Sequence, residues 1–134
     1  MNTTTKLTQQ QLHDLQQGLE RRFRELGEII RQELLSSDEE QYLELAGRVH
    51  DSGDESVADL LADVNLAVID RHVEDIGQVE RAILRMSAGT YGLCVDCGED
   101  ISPERLMAHP SAPRCMRCQS RRERDYAQPG HSKL

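Results

Sequence analysis

Four cysteines stand in two pairs, Cys94 with Cys97 and Cys115 with Cys118, after about ninety residues that contain no cysteine, tryptophan or proline. Two thiolates separated by two residues can grip one metal ion from two sides. Two such pairs supply the four soft, deprotonated ligands that tetrahedral zinc prefers. Gly98 follows the first pair directly and suits the turn of a zinc knuckle, because a residue without a β-carbon lets the chain fold back over the sulfurs. The second pair runs into Gln119, Ser120, Arg121, Arg122, Glu123 and Arg124, a helix-compatible stretch. This places Cys115 and Cys118 at a helix N-terminus, where the dipole favours thiolates.

The same cysteines are also compatible with two disulfides, a dithiol redox centre, iron in a rubredoxin-like cage, or plain burial. Met1 to Lys6 leads into Gln-rich polar sequence instead of an apolar run, so no secretory signal is expected. A cytoplasmic location with reduced thiols follows, which disfavours a disulfide framework. With four ligands in place, the site has no open position for a catalytic water, so the reading is one structural Zn2+ and no enzyme. His109, beside Pro110, is left out of the ligand set as an ordinary loop residue.

The elements that position this site are helical. The chain of 134 residues has one Phe, three Tyr and no Trp, and 30% of its residues are charged. That mixture suits exposed helices packed along a narrow aliphatic seam better than a large globular core. No apolar run approaches the roughly 20 residues of a membrane span. Residues 1–93 carry nine basic and eighteen acidic side chains, while residues 94–134 carry seven and six. An acidic arm is repelled by phosphates, which argues against sequence-specific DNA binding. The basic cluster Arg114, Arg117, Arg121, Arg122 and Arg124 keeps nucleic acid open. Its simpler explanation is that arginines offset the charge of about −2 on zinc with four thiolates.

From Thr8, a good N-cap, apolar residues recur at Leu12, Leu15, Leu19, Phe23, Leu26, Ile30 and Leu34, and less cleanly through Leu43 and Val49. This predicts one long helix, with Ser36, Ser37 and Asp38 offering a kink because their side chains compete for backbone hydrogen bonds. The turn-forming residues Asp51 to Asp54 end it. A second stripe runs through Val57, Leu61, Val64, Val68, Val73, Ile76, Ile83 and Met86, with Gly89 as its stop. The expected fold is mainly α: a long antiparallel two-helix coiled-coil hairpin with a four-cysteine zinc finger and a short C-terminal helix at its base. The expected divisions are a flexible N-terminus at 1–7, the hairpin at 8–90 with its tip at 50–56, the finger and helix at 91–126 and a flexible tail at 127–134. The second helix alone gives an arm of about 50 Å, with the acidic turn at its far end. Closing the hairpin within one chain is entropically cheaper than an intermolecular coiled coil, so a monomer is expected.

The order of these parts and several local sequences resemble the DksA/TraR family of bacterial transcription regulators. Those sequences are Tyr91 through Gly98, Ile101 through Leu106, Ala108 with Pro110, and Cys115-Met116-Arg117-Cys118. The resemblance spans roughly residues 8–126 and is most specific in the finger. It implies a protein that binds RNA polymerase directly, inserts its hairpin into the secondary channel and modulates transcription initiation. The family's tip motif, Asp-x-x-Asp-x-Ala, falls on Asp51, Asp54 and Ser56. On the residues alone these are turn and cap residues; the resemblance makes them the polymerase-modulating tip. Ser56 departs from the pattern by placing a hydroxyl where the family has a methyl.

The resemblance also raises the alarmone ppGpp, which the family's prototype binds with basic side chains where hairpin and finger meet. Here Arg71 keeps one such position, and Arg105 is a further candidate alarmone or polymerase contact. Gln78 and Gln119 stand where lysines are expected, and an amide brings no positive charge to a polyanion. The expected response to ppGpp through this site is therefore weak or nil. Two other readings compete with the leading one. One is a nucleic-acid-binding zinc finger that dimerises through the coiled coil, and the other is a thiol-based redox sensor that ejects zinc on oxidation.

Overall fold

The computed structural model describes residues 6–37, 39–53 and 55–127. Helix α1, Gln9–Leu35, opens on a capping box: Thr8 Oγ1 accepts from the Gln11 amide at 3.0 Å, and the Thr8 amide donates to Gln11 Oε1 at 2.9 Å. The helix buries Leu15, Leu19, Leu26, Ile30 and Leu34, the stripe read from its spacing. Leu7, within the terminus expected to be flexible at 1–7, is buried in the same core.

The break anticipated after α1 is present. Ser36 Oγ donates to the Gln32 carbonyl at 2.9 Å, and Ser37 Oγ accepts from the Glu39 amide at 3.2 Å. The first joins the Ser36 amide's own 3.0 Å bond to the Gln32 carbonyl at the helix end, and the second satisfies an amide beyond it. Asp38, the third residue of the expected kink, lies outside the described residues, as does Asp54 of the expected tip. Helix α2, Glu40–His50, then packs back along α1 and buries Ala46 and Val49, with Tyr42 and Leu45 beside them. Leu43 faces solvent.

The expectation of one unbroken second helix is corrected. It is divided into α3, Val57–Leu60, and α4, Ala67–Ala88. Between them Leu61 is buried, Val64 and Leu66 pack on the core, and tight turns close from Val64 to the Leu61 carbonyl and from Ile69 to the Leu66 carbonyl, each at 3.1 Å. Asp63 and Asn65, poor helix formers, occupy this stretch. The interruption resets the helical phase. Ile69 is fully buried, whereas Val68, which the unbroken stripe would have buried, is exposed. From Ile69 the buried face of α4 continues through Ile76, Gly77, Val79 and Ala82.

Helices α1 and α4 form the antiparallel hairpin, about 40 Å and 33 Å long at 1.5 Å per residue. Helix α3 packs on α4, and Gly53, Glu55 and Ser56 lie level with Glu80 in the second half of α4, not at the far end of an extended arm. The far end of the hairpin is the level where Leu34 and Ile69 are buried and His72 Nδ1 meets Glu33 Oε1 at 3.0 Å.

Helix α4 stops at Gly89, whose φ of 78° is left-handed, and the Thr90 and Tyr91 amides both donate to the Arg85 carbonyl, at 2.9 and 3.2 Å. A β-carbon there would meet no neighbour, so substitution acts through backbone conformation alone. Gly89→Ala is therefore expected to lower stability by about 1–2 kcal/mol, read as a lower denaturation midpoint with an unchanged slope. Among the described residues there is no strand, only an isolated bridge between Leu93 and Asp100. No helix among them is long and apolar enough to cross a membrane.

Candidate metal centre and the groove beside it

The first cysteine pair sits on a knuckle. The Cys94 amide donates to the Glu99 carbonyl at 2.8 Å, the Gly98 amide returns to the Cys94 carbonyl at 2.9 Å, and the Ile101 amide reaches the Gly92 carbonyl at 2.8 Å. Gly98 adopts φ of 77°, the left-handed turn anticipated for it. The second pair begins helix α6, Met116–Ala127, with the Gln119 amide donating to the Cys115 carbonyl at 2.9 Å. Cys115 thus precedes the helix and Cys118 lies in its first turn. The two halves are joined by the Val95 amide, which donates to the Pro113 carbonyl at 2.9 Å.

These bonds bring the four sulfurs within 4.8 Å of one another, with Cys97 and Cys115 at 3.9 Å. Four ligands at the Zn–S distance of about 2.3 Å in a tetrahedron stand about 3.8 Å apart, so the spacing fits one zinc ion. The protonation of the thiols points the same way. Burial raises the Cys94 thiol, but amides of Cys97, Cys115 and Asp96 aimed at its sulfur outweigh this and bring it down to about 6. Cys118 is pushed up to about 12 by burial and by the neighbouring sulfurs. Four crowded thiols do not all ionise on their own, and a dication removes that conflict. The four cysteines named from spacing are the ligands of a one-zinc site. His109 is not among them.

The arginines around the finger are largely engaged within it. Arg114 Nε meets Asp96 Oδ2 at 2.7 Å, and Arg117 Nη2 lies 3.2 Å from Glu99 Oε2 and 3.9 Å from Cys97 Sγ. The Glu99 hydrogen bond, then the Cys97 sulfur, raises the Arg117 guanidinium above its ordinary range. Arg122 stacks over the Tyr126 ring at 5.1 Å. This supports charge compensation of the metal centre as the reason for the basic cluster.

Helix α5, Pro103–Ala108, is capped by Ser102 and carries Arg105, whose Nε donates to the Arg114 carbonyl at 2.9 Å. Arg105 therefore braces the loop that leads into the second cysteine pair. The finger seats on the hairpin through Tyr91, buried, with its hydroxyl donating to the Pro110 carbonyl at 2.7 Å. Burial holds its phenol up at about 12, against the opposing pull of Arg85.

Between α4 and the finger runs a groove of about 780 Å³. Gln78, Gln119 and Arg105, all singled out from sequence, line it together. Arg71 does not; it stands two turns earlier on α4, exposed, 3.9 Å from Asp75 Oδ1. Sequence reasoning missed Arg81 and Arg85, which join Gln78 on the groove side of α4. Their spacing of three and four residues was the available signal. Burial lowers the Arg85 guanidinium below its ordinary range. Carboxylates enter the groove as well, from Glu74 and Glu123.

Of the tip residues, Asp51 ends α2, and Ser56 caps α3 by accepting from the Asp59 amide at 3.1 Å. The residue that sequence reasoning could not have found is Glu80. Its carboxylate accepts from Ser56 Oγ at 3.1 Å, the Val57 amide at 2.8 Å and the Ala58 amide at 3.0 Å.

Comparison with known proteins bears on both finger and fold. The prokaryotic dksA/traR C4-type zinc finger matches residues 89–124. The RNA polymerase-binding transcription factor DksA of Caulobacter vibrioides is 31% identical over 90 residues, which cover 67% of this chain and 58% of that protein. General stress protein 16O of Bacillus subtilis is 38% identical over 69 residues, 52% of this chain and 41% of the relative. The chain thus spans only about half the length of the curated relatives it matches. The structure of transcription factor DksA2 from Pseudomonas aeruginosa superposes with a TM-score of 0.59 over 96% of this chain and 95% of that one, at 22% identity, a likeness of fold. The chain is a DksA-like protein, carrying the dksA/traR C4-type zinc finger at the base of a helical hairpin.

Proposed function

We propose that this protein regulates transcription in a bacterial cytoplasm by binding RNA polymerase directly, entering the secondary channel with its hairpin and changing initiation without catalysing a reaction itself. The observation that carries this reading is the finger, matched in sequence and sound in geometry, seated without a linker on a helical hairpin. A relative 31% identical over 90 residues is named for polymerase binding. Asp51, Asp54 and Ser56 form the part that acts. Carboxylates there would alter the electrostatic field around the polymerase's catalytic region.

Sensitivity to ppGpp is weak in this reading. Gln78 and Gln119 bring no charge to the groove, Glu74 and Glu123 oppose a polyanion, Arg105 and Arg114 are engaged within the finger and Arg122 stacks on Tyr126, which leaves Arg81 and Arg85 as the groove's available cations. The test uses zinc-loaded protein, bacterial core RNA polymerase and a known secondary-channel binder as competitor. Binding that the competitor displaces is expected, with Asp54→Asn retaining affinity but losing its effect on initiation, and with ppGpp changing that effect less than twofold. No binding to polymerase, together with salt-sensitive retention on DNA, would reject the reading in favour of the basic finger as the functional end.

A further inference from the structure

We propose that residues 40–60, comprising α2, the acidic turn and α3, form a hinged flap that Glu80 clasps shut against α4. The clasp is a single carboxylate on the long helix that takes three hydrogen bonds from the start of α3, from Ser56 Oγ, the Val57 amide and the Ala58 amide at 3.1, 2.8 and 3.0 Å. One turn earlier α4 offers a seat. At Gly77 an added β-carbon would lie 3.5 Å from Ala58 Cβ, ordinary van der Waals contact, so α3 packs closely on this turn of α4. Helix α3 has only four residues, too few to persist on its own. Its structure depends on the helix it docks against.

Both connections to the flap are breaks at the same level of the hairpin. Residues 36–39 follow Leu35, residues 61–66 precede Ala67, and the Glu33–His72 pair at 3.0 Å fixes that level. Paired breaks at one level make a hinge across both connections. The flap contributes Ala46, Val49 and Val57 to the core, with Tyr42 and Leu45 packed beside them, a smaller fully buried set than the five residues of α1. Closing the flap withdraws the 51–56 turn to the level of Phe23, Glu80 and Ile83, which line a shallow cavity with Gly53 and Ser56. Opening it would carry the turn about 25 Å beyond the Leu34–Ile69 level, at 1.5 Å per residue. The use of this motion rests on the polymerase reading, because a closed flap holds back the turn that the channel would receive. The hinge itself does not depend on that reading.

The test places spin labels, through noncanonical residues that spare the four cysteines, at Glu55 and Ser87. Closed protein gives a separation under about 20 Å and an open arm roughly 50 Å. The zinc-loaded wild type is expected to show mainly the short distance. Glu80→Ala should shift the closed-to-open ratio by about tenfold or more, and Ser56→Ala by less, because each removes hydrogen bonds to a charged group. Glu80→Gln should recover part of the closed population. Zinc content and helical circular dichroism identify any variant that fails to fold, and Ser56→Ala, the mildest change, then carries the comparison. A wild type with only the long distance, or a folded Glu80→Ala with the wild-type distribution, overturns the clasp. Added core polymerase should convert the short distance to the long one. Binding with the short distance retained overturns the role of opening, whereas absence of binding rejects the polymerase reading and leaves the hinge to the label result.

Discussion

A Cys94→Ser variant is expected to purify with no more than trace zinc and with an unfolded finger. Cys94 is 3% exposed, and the neighbouring amides of Cys97, Cys115 and Asp96 lower its thiol toward the ionised form that binds metal. Structural zinc sites carry apparent binding free energies of about 10–16 kcal/mol in small fingers, and much of this is folding free energy. The finger has little else to rely on: its buried apolar side chains are few, chiefly Tyr91, Ile101, Leu106 and Ala112. Metal analysis should find one zinc per wild-type chain and a near-complete loss in the variant. Circular dichroism should show helix lost from α5 and α6 while α1 and α4 persist. Chelation should reproduce the variant, and acid should as well, since the ligands bind zinc only when deprotonated and falling pH returns their protons. A folded, cooperative finger in the zinc-free variant would contradict this account.

The second large effect is expected in the hairpin seam. Leu26→Ala should lower global stability by about 2–5 kcal/mol, by lost transfer free energy and by the cavity left behind. Leu26 is fully buried in the core that α1 shares with α2 and α4, where close-packed neighbours relax only partly into a gap. Denaturant unfolding of the zinc-loaded protein should show an earlier midpoint with zinc content unchanged in the native baseline. Truncating the neighbouring Phe23, which is only partly buried, should cost less. Equal losses at the two positions would mean that the seam described here is not the principal core.

The features legible in the sequence were those fixed by local chemistry. The cysteine spacing named the ligands, Gly98 and Gly89 marked turns that only a left-handed backbone makes, Thr8 marked a helix start, and Ser36 and Ser37 marked a break. Each depends on neighbours within a few residues. The phase of α4 was not legible in this way. Val68 and Ile69 are both apolar, and which of them faces inward depends on where the preceding helix stops, which the turns between Leu61 and Leu66 decide. Glu80 was beyond reach for a related reason. On α4 it reads as one more exposed acid, and its role appears only when residues 24, 23 and 22 positions earlier are folded back onto it. The groove was half legible: Gln78, Gln119 and Arg105 were named, but Arg81 and Arg85 were not.

The junction at Gly89 has a mechanical consequence. The Thr90 and Tyr91 amides share the Arg85 carbonyl, and the Tyr91 hydroxyl is anchored on Pro110, so there is no slack between the last turn of α4 and the first zinc ligand. The helix and the finger behave as shaft and handle. Because each residue of a helix advances its azimuth by about 100°, the compass direction in which the handle points is set by a residue count. Evolution or an engineer could lengthen the stretch at 61–66 and move only the flap, whereas one residue gained or lost within α4 ahead of Gly89 would swing the whole finger to another side of the shaft.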